Sequence, residues 1–297
     1  MKILLLGKNG QIGFELQRTL APLGEVISFD QDRASFLDIV ALRQTVKGCS
    51  PNVIVNAAAY TAVDKAETDE AVCHAVNAVA PAVLAEEARR LNALLIHYSS
   101  DYVFNGKKSD PYLEDDEAFP LSVYARSKVE GDRLVAQSGA DFLIIRTGWV
   151  YGARGANFLR TILRLAKERS ELGIVNDQIG APTWSRMIAE GTAHAIARAA
   201  VNPAEYSGVY HLTAAGRTTW FGFTEAIFDI FNLQPRPKLV PITMDQYPTP
   251  AKRPAYSVLS TDKFARVFGL RLPDWRRQLE MVAGEVMSDQ ISLATSR

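Results

Sequence analysis

The fold is decided by residues 3–13, Ile3-Leu4-Leu5-Leu6-Gly7-Lys8-Asn9-Gly10-Gln11-Ile12-Gly13. Four apolar residues precede three glycines spaced three apart, a pattern that predicts a buried strand, a tight turn and the start of a helix. Glycine allows positive φ, and its missing Cβ lets backbone N–H groups approach a pyrophosphate at the helix N-terminus. We therefore predict the phosphate cradle of a dinucleotide-binding fold.

An acidic residue follows at the distance that such a site requires. The apolar run Val26-Ile27-Ser28-Phe29 predicts a second strand, and Asp30 follows it about 20 residues after Gly10, where a carboxylate reaches the adenosine ribose. The glycine spacing departs from the usual G-x-G-x-x-G, so the glycines alone would also fit an ordinary turn. Asp30 alone would fit a solvated turn carboxylate. The order of strand, turn, helix, strand and acid favours the dinucleotide site.

Strands and helices then alternate along the chain. Near-continuous apolar runs at 52–56, 94–98 and 142–145 are typical of strands covered on both faces, and helical patterns separate them. The alternation predicts an α/β fold with a Rossmann-type doubly wound parallel sheet and a ligand crevice at the carboxyl ends of its strands. The pattern loosens near residue 150. We expect a dinucleotide-binding domain at 1–149 and a smaller C-terminal substrate-binding domain at 150–297.

Composition excludes several classes of function. Lysine plus arginine and aspartate plus glutamate both total 33, so no net charge favours nucleic acid or an acidic membrane surface. Cys49 and Cys73 cannot form a disulfide framework, which fits a reducing cytoplasm. We find no signal-peptide pattern and no apolar run long enough to span a membrane. The sequence predicts a cytoplasmic protein with no nucleic-acid or membrane partner.

Three residues carry the chemistry that the sequence suggests. Tyr124 and Lys128 are four residues apart in a helical pattern, so the lysine ammonium can lower the pKa of the phenol from about 10 toward working pH. Ser100 ends a predicted strand and can polarise a carbonyl toward hydride attack. A Tyr-x-x-x-Lys pair is otherwise an ordinary surface feature, but the serine and the glycine turn favour catalysis.

Five stretches together carry a resemblance to a known family, and they extend over nearly the whole chain. They are residues 7–13, 56–67, 97–104, 176–183 and 253–254. The chain resembles the extended short-chain dehydrogenase/reductases, and within them the family of dTDP-4-dehydrorhamnose reductases. The second and third stretches are specific to that narrower family. The resemblance implies NAD(P)H-dependent reduction of the C4 keto group of dTDP-4-dehydro-L-rhamnose in dTDP-L-rhamnose synthesis.

The resemblance also implies roles for individual residues. Tyr124 would be the proton donor, Lys128 its partner on the nicotinamide ribose, and Ser100 a contact to the sugar at a position where the family usually has Thr. Cofactor-binding positions would be Gly7, Gly10, Gln11, Ile12, Gly13, Asp30, Asp38, Ile39, Ala59, Tyr60, Thr61, Tyr98, Tyr124 and Lys128. Substrate-binding positions would be Ser100, Asp101, Trp149 and Arg253. The cofactor would be NADPH or NADH, the substrate a dTDP-sugar, and the assembly a homodimer. Magnesium enters only through the resemblance, since the sequence shows no magnesium motif.

Some of these residues have a simpler interpretation. His97 lies in an apolar strand and fits a core histidine better than a catalytic base, because a tyrosine already fills that role. Trp149 also fits core packing at a strand end. Arg253 lies among prolines, where it fits either a fork on the substrate diphosphate or a solvated loop arginine.

Two other functions compete with the reductase. A nucleotide-sugar dehydratase or epimerase shares the fold, but dehydratases carry an Asp-Glu pair where this chain has Asp101-Tyr102. The second alternative is a non-catalytic dinucleotide-binding regulatory subunit, similar to that of methionine adenosyltransferase. The presence of Ser100, Tyr124 and Lys128 argues against this alternative.

Overall fold

The computed structural model describes residues 1–295, with side chains through residue 287. The strands are β1 Lys2–Leu6, β2 Glu25–Phe29, β3 Val53–Asn56, β4 Leu94–Ser100, β5 Phe142–Thr147, β6 Val150–Tyr151, β7 Glu171–Val175, β8 Ile179–Gly180, β9 Thr183–Trp184, β10 Gly208–His211, β11 Thr218–Thr219 and β12 Lys238–Ile242. The helices are α1 Gln11–Thr19, α2 Ile39–Cys49, α3 Val63–Ala66, α4 Glu70–His74, α5 Ala80–Leu91, α6 Val123–Gln137, α7 Phe158–Glu168, α8 Ser185–Ala199, α9 Pro203–Tyr206, α10 Trp220–Ile230, α11 Asp262–Phe268 and α12 Trp275–Thr295. A π-helical segment, Ala75–Val79, joins α4 to α5.

Six parallel strands form the central sheet, in the order β10-β5-β4-β3-β1-β2. From β1 the chain moves outward to β2 and then returns to the other side of β1 as β3. The connections therefore diverge between β1 and β3, and at such a point the carboxyl ends of the strands leave a crevice. The predicted doubly wound parallel sheet is confirmed.

Helices cover both faces of this sheet, so the inner strands β3 and β4 are fully buried, whereas the edge strand β2 is only partly buried. One face packs against α1, α8 and α11, and the other against α2, α5 and α6. The two apolar layers explain why β1, β3 and β4 read as continuous apolar runs rather than as alternating ones. Both β10 and α8 come from the chain after residue 150, so this later part of the chain also builds the sheet domain.

A smaller apolar core lies among α7, α10, α12, β7 and β12. Tyr151, Phe223 and Phe228 are almost fully buried there, and the Tyr151 and Phe223 rings meet edge to face at 5.1 Å. No helix within residues 1–295 is long and apolar enough to cross a membrane.

Candidate active site

The glycine turn brings two pieces of backbone into direct contact at the crevice. Gly7 has φ +86°, and a Cβ there would lie 2.6 Å from the Ala58 nitrogen. A Cβ on Gly13 would lie 2.0 Å from the Gly7 carbonyl oxygen. Only glycine at these two positions lets the turn pack this closely on neighbouring backbone, and a close glycine turn before a helix N-terminus fits a bound pyrophosphate. Gly10 precedes α1 as its N-cap and, within the described residues, no side chain caps that helix.

The carboxylate predicted at the adenosine end lies beside a lysine from the glycine turn. Lys8 Nζ is 3.6 Å from Asp30 Oδ2, and Asn9 Nδ2 donates to the same oxygen at 3.3 Å. Desolvation raises the pKa of Asp30, but Lys8 and the hydrogen bonds outweigh it and hold the pKa below its ordinary value. Arg33 lies over the Phe29 ring at 5.6 Å, and Asp38 caps α2 through the Ala41 N–H. The carboxylate thus lies close to positive charge.

The loop after β3 contains three of the predicted cofactor positions, Ala59, Tyr60 and Thr61. Its backbone is held by Asn77 of the π-helical segment, whose Oδ1 accepts from the Tyr60 N–H at 2.9 Å. Asn77 Nδ2 donates back to the Tyr60 carbonyl at 3.0 Å, and the Tyr60 hydroxyl donates to Asp69. The loop is therefore fixed against the π-helical segment and the start of α4.

Ser100, Tyr124 and Lys128 meet at the carboxyl end of β4. The Ser100 hydroxyl donates to Asp101 Oδ1 at 3.2 Å, and it lies near enough to the Tyr124 phenol to lower the pKa of that group. Tyr124 and Lys128 lie one turn apart on α6, as the spacing predicts. The structure brings the predicted serine, tyrosine and lysine together.

The pKa of Tyr124 differs from the sequence expectation, and the predicted lowering is wrong in direction. Desolvation raises the pKa of Tyr124 to about 12, and the neighbouring Ser100 hydroxyl opposes the rise only in part. Burial lowers the pKa of Lys128 to about 8. The lysine ammonium is directed to the Tyr98 carbonyl, to which it donates at 2.5 Å. In the protein alone, burial therefore outweighs the attraction that the spacing suggests.

His97 is a core histidine, as predicted. It is 1% exposed, and Asn56 Nδ2 lies 3.0 Å from its Nδ1. Burial, and then the Lys128 charge, lower the pKa of His97 well below its ordinary value, so the ring is neutral. The neighbouring Tyr98 hydroxyl lies 2.7 Å from Thr192 Oγ1 in the core, so the contact of Tyr98 with the site is made by its carbonyl.

Asp101 lies buried against a glycine directly behind Ser100. A Cβ on Gly148 would lie 2.3 Å from the Asp101 Cγ, so only glycine leaves room for the carboxyl group. Burial raises the pKa of Asp101 to about 7, while the nearby Ser257 hydroxyl and the hydrogen bond from Ser100 oppose the rise. This carboxyl group therefore titrates near neutral pH.

Trp149 is both packed and strained. Its ring stacks on Trp220 at 3.5 Å, and its φ of +49° is uncommon for a residue with a Cβ. A Cβ on Gly180 would lie 2.3 Å from the Trp149 ring, so the segment 180–183 packs directly against the indole. The core-packing interpretation of Trp149 is confirmed, and a substrate role remains a proposal.

Arg253 is neither solvated nor free. Its Nη2 donates to Asp64 Oδ2 at 2.8 Å and its Nη1 to the Ala251 carbonyl at 3.4 Å, and the Tyr102 phenol lies close to the guanidinium. The interpretation of Arg253 as a solvated loop arginine is wrong. Its ion pair with Asp64 joins the proline-rich segment, residues 248–254, to the loop after β3 and leaves the arginine side chain 23% exposed.

Sequence reasoning missed the partners that position these groups. Asp64 and Glu67 lie in the family-specific stretch, and Glu67 accepts from the Val123 N–H at the start of α6. Asp132 lies one turn after Lys128, a spacing visible in the sequence. No local sequence pattern could indicate that Trp220 stacks on Trp149, because the two residues are distant in sequence.

The described residues contain no group of three or more His, Cys, Asp or Glu side chains placed to hold a metal ion.

Comparison with known proteins agrees with this geometry. The family described as RmlD substrate binding domain matches residues 1–288. The chain belongs to this family. A dTDP-4-dehydrorhamnose reductase of Burkholderia thailandensis is 49% identical over 97% of this chain and 100% of the relative. One from Escherichia coli K12 is 44% identical over 97% of this chain and 99% of the relative.

Solved structures of family members share the whole architecture. A dTDP-4-dehydrorhamnose reductase of Clostridium acetobutylicum has a TM-score of 0.89 and 34% identity, and the alignment covers 97% of this chain and 100% of that one. Another, from Bacillus anthracis in complex with NADP, has a TM-score of 0.88 and 32% identity, covering 96% and 99%. A UDP-glucose 4-epimerase of Thermus thermophilus, 18% identical with a TM-score of 0.82, shares the fold alone.

Proposed function

We propose that the protein is an NAD(P)H-dependent reductase that converts the C4 keto group of dTDP-4-dehydro-L-rhamnose to the alcohol of dTDP-L-rhamnose. The observation that carries this proposal is that the Ser100 and Tyr124 side chains meet at the carboxyl end of β4, with the buried Lys128 one helical turn after Tyr124 on α6. Two hydroxyls in contact can both reach one carbonyl oxygen. Family membership supplies the substrate class.

The residues that would hold the cofactor are those of the glycine turn and the loop after β3. Gly7, Gly10, Gln11, Ile12 and Gly13 would meet the pyrophosphate, while Asp30, Asp38 and Ile39 would meet the adenosine end. Ala59, Tyr60, Thr61, Tyr98, Tyr124 and Lys128 would line the path to the nicotinamide. When bound, the reduced nicotinamide supplies the hydride. Lys8 beside Asp30 favours acceptance of both NADPH and NADH.

Tyr124 would donate the proton to the substrate oxygen. A pKa of about 12 keeps the phenol protonated at neutral pH, so it is present as an acid. The Lys128 ammonium would stabilise the phenolate that remains after transfer, and it would also hold the nicotinamide ribose. Ser100 would donate to the same substrate oxygen and polarise the carbonyl.

Tyr102 argues against a dehydratase. Loss of water across the sugar needs a carboxylate as base, and the second position of the pair carries a phenol instead. Desolvation and the Asp101 charge raise the pKa of Tyr102 above its ordinary value, and Arg253 opposes this only in part. A phenol with a raised pKa is a poor base at neutral pH.

Substrate contacts remain proposals for four residues. Ser100 and Asp101 lie at the end of β4, Trp149 would pack against the sugar, and Arg253 would meet the diphosphate. Since Arg253 is paired with Asp64, it would have to share or leave that carboxylate when the diphosphate binds. We also propose that residues 1–149 form the dinucleotide-binding part of the protein and that residues 150–297, which also supply β10 and α8 to the sheet domain, mainly bind the nucleotide-sugar.

A coupled assay tests this function. Enzymatically generated 4-keto sugar and NADPH are mixed with the protein while nicotinamide absorbance is followed, and the product is identified by chromatography. We expect one NADPH oxidised for each dTDP-L-rhamnose formed. A protein that binds NADPH but oxidises none in the presence of the keto sugar would favour the regulatory-subunit alternative.

We also propose a homodimer in the cytoplasm, as the resemblance implies and as the free Cys49 and Cys73 permit. Light scattering after gel filtration would then give twice the chain mass of 32.7 kDa. A mass equal to that of one chain would contradict the dimer.

A further inference from the structure

Lys128 belongs to a cluster of buried charged side chains that extends from it into the protein core. Lys128 and Arg146 carry its positive charges and Asp132 its negative charge, while His97 is the neutral group between them. All four side chains are at least nine-tenths buried. Charges this deep require partners, because desolvation of an unpaired ion costs several kcal/mol or more. The arrangement of Asp132 therefore determines which charge it compensates.

The two oxygens of Asp132 have different surroundings. Oδ2 accepts from the Ser99 hydroxyl at 2.8 Å and from Arg146 Nε at 3.4 Å. Oδ1 is buried and, among the described residues, has no hydrogen-bond partner. Its neighbour is His97 Nε2, at 3.8 Å. One oxygen thus compensates Arg146, and the other faces the Lys128 side of the cluster.

The orientation of His97 follows from Asn56. The Asn56 Oδ1 accepts from the Ala58 N–H at 3.2 Å, so its amide NH₂ is the group that meets His97 Nδ1. Nδ1 is then the acceptor, and the ring proton lies on Nε2. That nitrogen lies 3.5 Å from Lys128 Nζ and 3.8 Å from Asp132 Oδ1. A polar N–H therefore lies between the ammonium and the carboxylate.

We propose that Asp132 is a positioning residue that acts as the counter-ion of Lys128 through the intervening His97 imidazole and so keeps the lysine charged during turnover. The inference rests on the proposed function, since it names what supports the lysine beside the proton donor. Asp132 touches neither the substrate nor the cofactor path and acts through Lys128. The Lys128 ammonium is then available to stabilise the Tyr124 phenolate.

Other titratable groups lie around Lys128 and could also affect its pKa in the test below. Tyr124 lies on the same helix, Cys73 on α4 and Asp101 in the turn after β4. Burial raises the pKa of Cys73, so it stays a neutral thiol. Asp132 comes first among the charges that raise the pKa of Lys128.

The pH profile of kcat tests the proposal, with NADPH and 4-keto sugar saturating at each pH. Activity falls as pH rises through the pKa of Lys128, which precedes that of Tyr124. Asp132→Asn removes the negative charge, so the alkaline limb should move to lower pH by about one unit or more. Ser99→Ala is the matched control, because it removes a hydrogen bond to the same carboxylate without changing charge. Its alkaline limb should stay at the wild-type pH.

Asp132→Asn also leaves the buried Arg146 without its carboxylate partner, so a second variant removes both charges. In Asp132→Asn/Arg146→Met no arginine is left unpaired, and the same shift of the alkaline limb is expected in a protein that unfolds cooperatively. A limb at the wild-type pH in either folded variant overturns the counter-ion role while the proposed function stands. Absence of turnover in the wild-type protein overturns the proposed function and this role together.

Discussion

The Tyr124 hydroxyl receives opposing influences from its surroundings. Desolvation keeps the phenol neutral, whereas Ser100 favours the phenolate that forms when the proton is given up. A raised pKa suits an acid that must remain protonated until a substrate oxygen develops negative charge.

Tyr124→Phe removes this proton and leaves the ring in place. We expect kcat to fall by about 10² or more, the usual contribution of a positioned acid, with the KM for NADPH near that of the wild type. Steady-state kinetics with both substrates measures the two parameters. A variant with near-normal kcat would show that another group gives the proton.

Asp101 predicts a pH dependence of stability. Its pKa is raised from 3.8 to about 7 in the folded protein, so the folded state binds more protons than the unfolded state between these values. Wild-type stability should therefore fall as pH rises through this window. The Asp101→Asn side chain does not titrate. The free energy of unfolding of this variant, relative to that of the wild type, should therefore increase by on the order of 2 kcal/mol from about pH 5 to pH 8.

Urea unfolding at both pH values checks the Asp101 prediction. A difference between variant and wild type that does not grow with pH would show that the carboxyl group has an ordinary pKa in the folded protein.

At the scale of elements, the junction of β1 with α1 tolerates no side chain at Gly13. Gly13→Ala places a Cβ 2.0 Å from the Gly7 carbonyl oxygen, so backbone must move. We expect a loss of about 1–3 kcal/mol in unfolding free energy and a KM for NADPH raised about tenfold. Gly48→Ala in α2 is the matched control, since its Cβ meets no atom within 4 Å. That variant should be stabilised by about 0.5 kcal/mol. Equal effects of the two variants would contradict the argument.

The residues that follow β1 and β2 lie side by side, and we expect them to determine the preference between NADPH and NADH. Lys8 lies beside Asp30, so the carboxylate that repels a 2′-phosphate is partly compensated. We expect wild-type turnover with both cofactors, and Asp30→Asn should raise the ratio of kcat/KM for NADPH to that for NADH. A ratio that falls in this variant would show that Asp30 does not oppose the phosphate.

Local sequence patterns predicted the strands and helices that carry the candidate catalytic residues. Contacts between distant residues determine the pKa values and the packing around the site, and these could not be predicted. The glycine turn, the buried strands and α6 with Tyr124 and Lys128 on adjacent turns all follow from short-range spacing. The pKa of Tyr124 does not, because burial depends on what packs over the helix. Trp149 and Trp220, or Asp64 and Arg253, meet only after folding, and neither pair has a local sequence signal.

For the whole molecule, the Asp64–Arg253 ion pair connects the sheet domain to the proline-rich segment of the later chain. This pair and the Trp149–Trp220 stack fix the later segments over the crevice where Ser100 and Tyr124 lie. The substrate side of the crevice therefore depends on both halves of the sequence. Nothing in the early chain alone could have predicted it.

Isotope transfer tests the central claim most directly. NADPH deuterated at C4 of the nicotinamide on the transferred face is mixed with the protein and the 4-keto sugar, and the product is examined by mass spectrometry and NMR. We predict one deuterium at C4 of the deoxysugar and oxidised cofactor without the label. A product without deuterium, or conversion of dTDP-glucose to a 4-keto sugar without added cofactor, would contradict the reductase assignment.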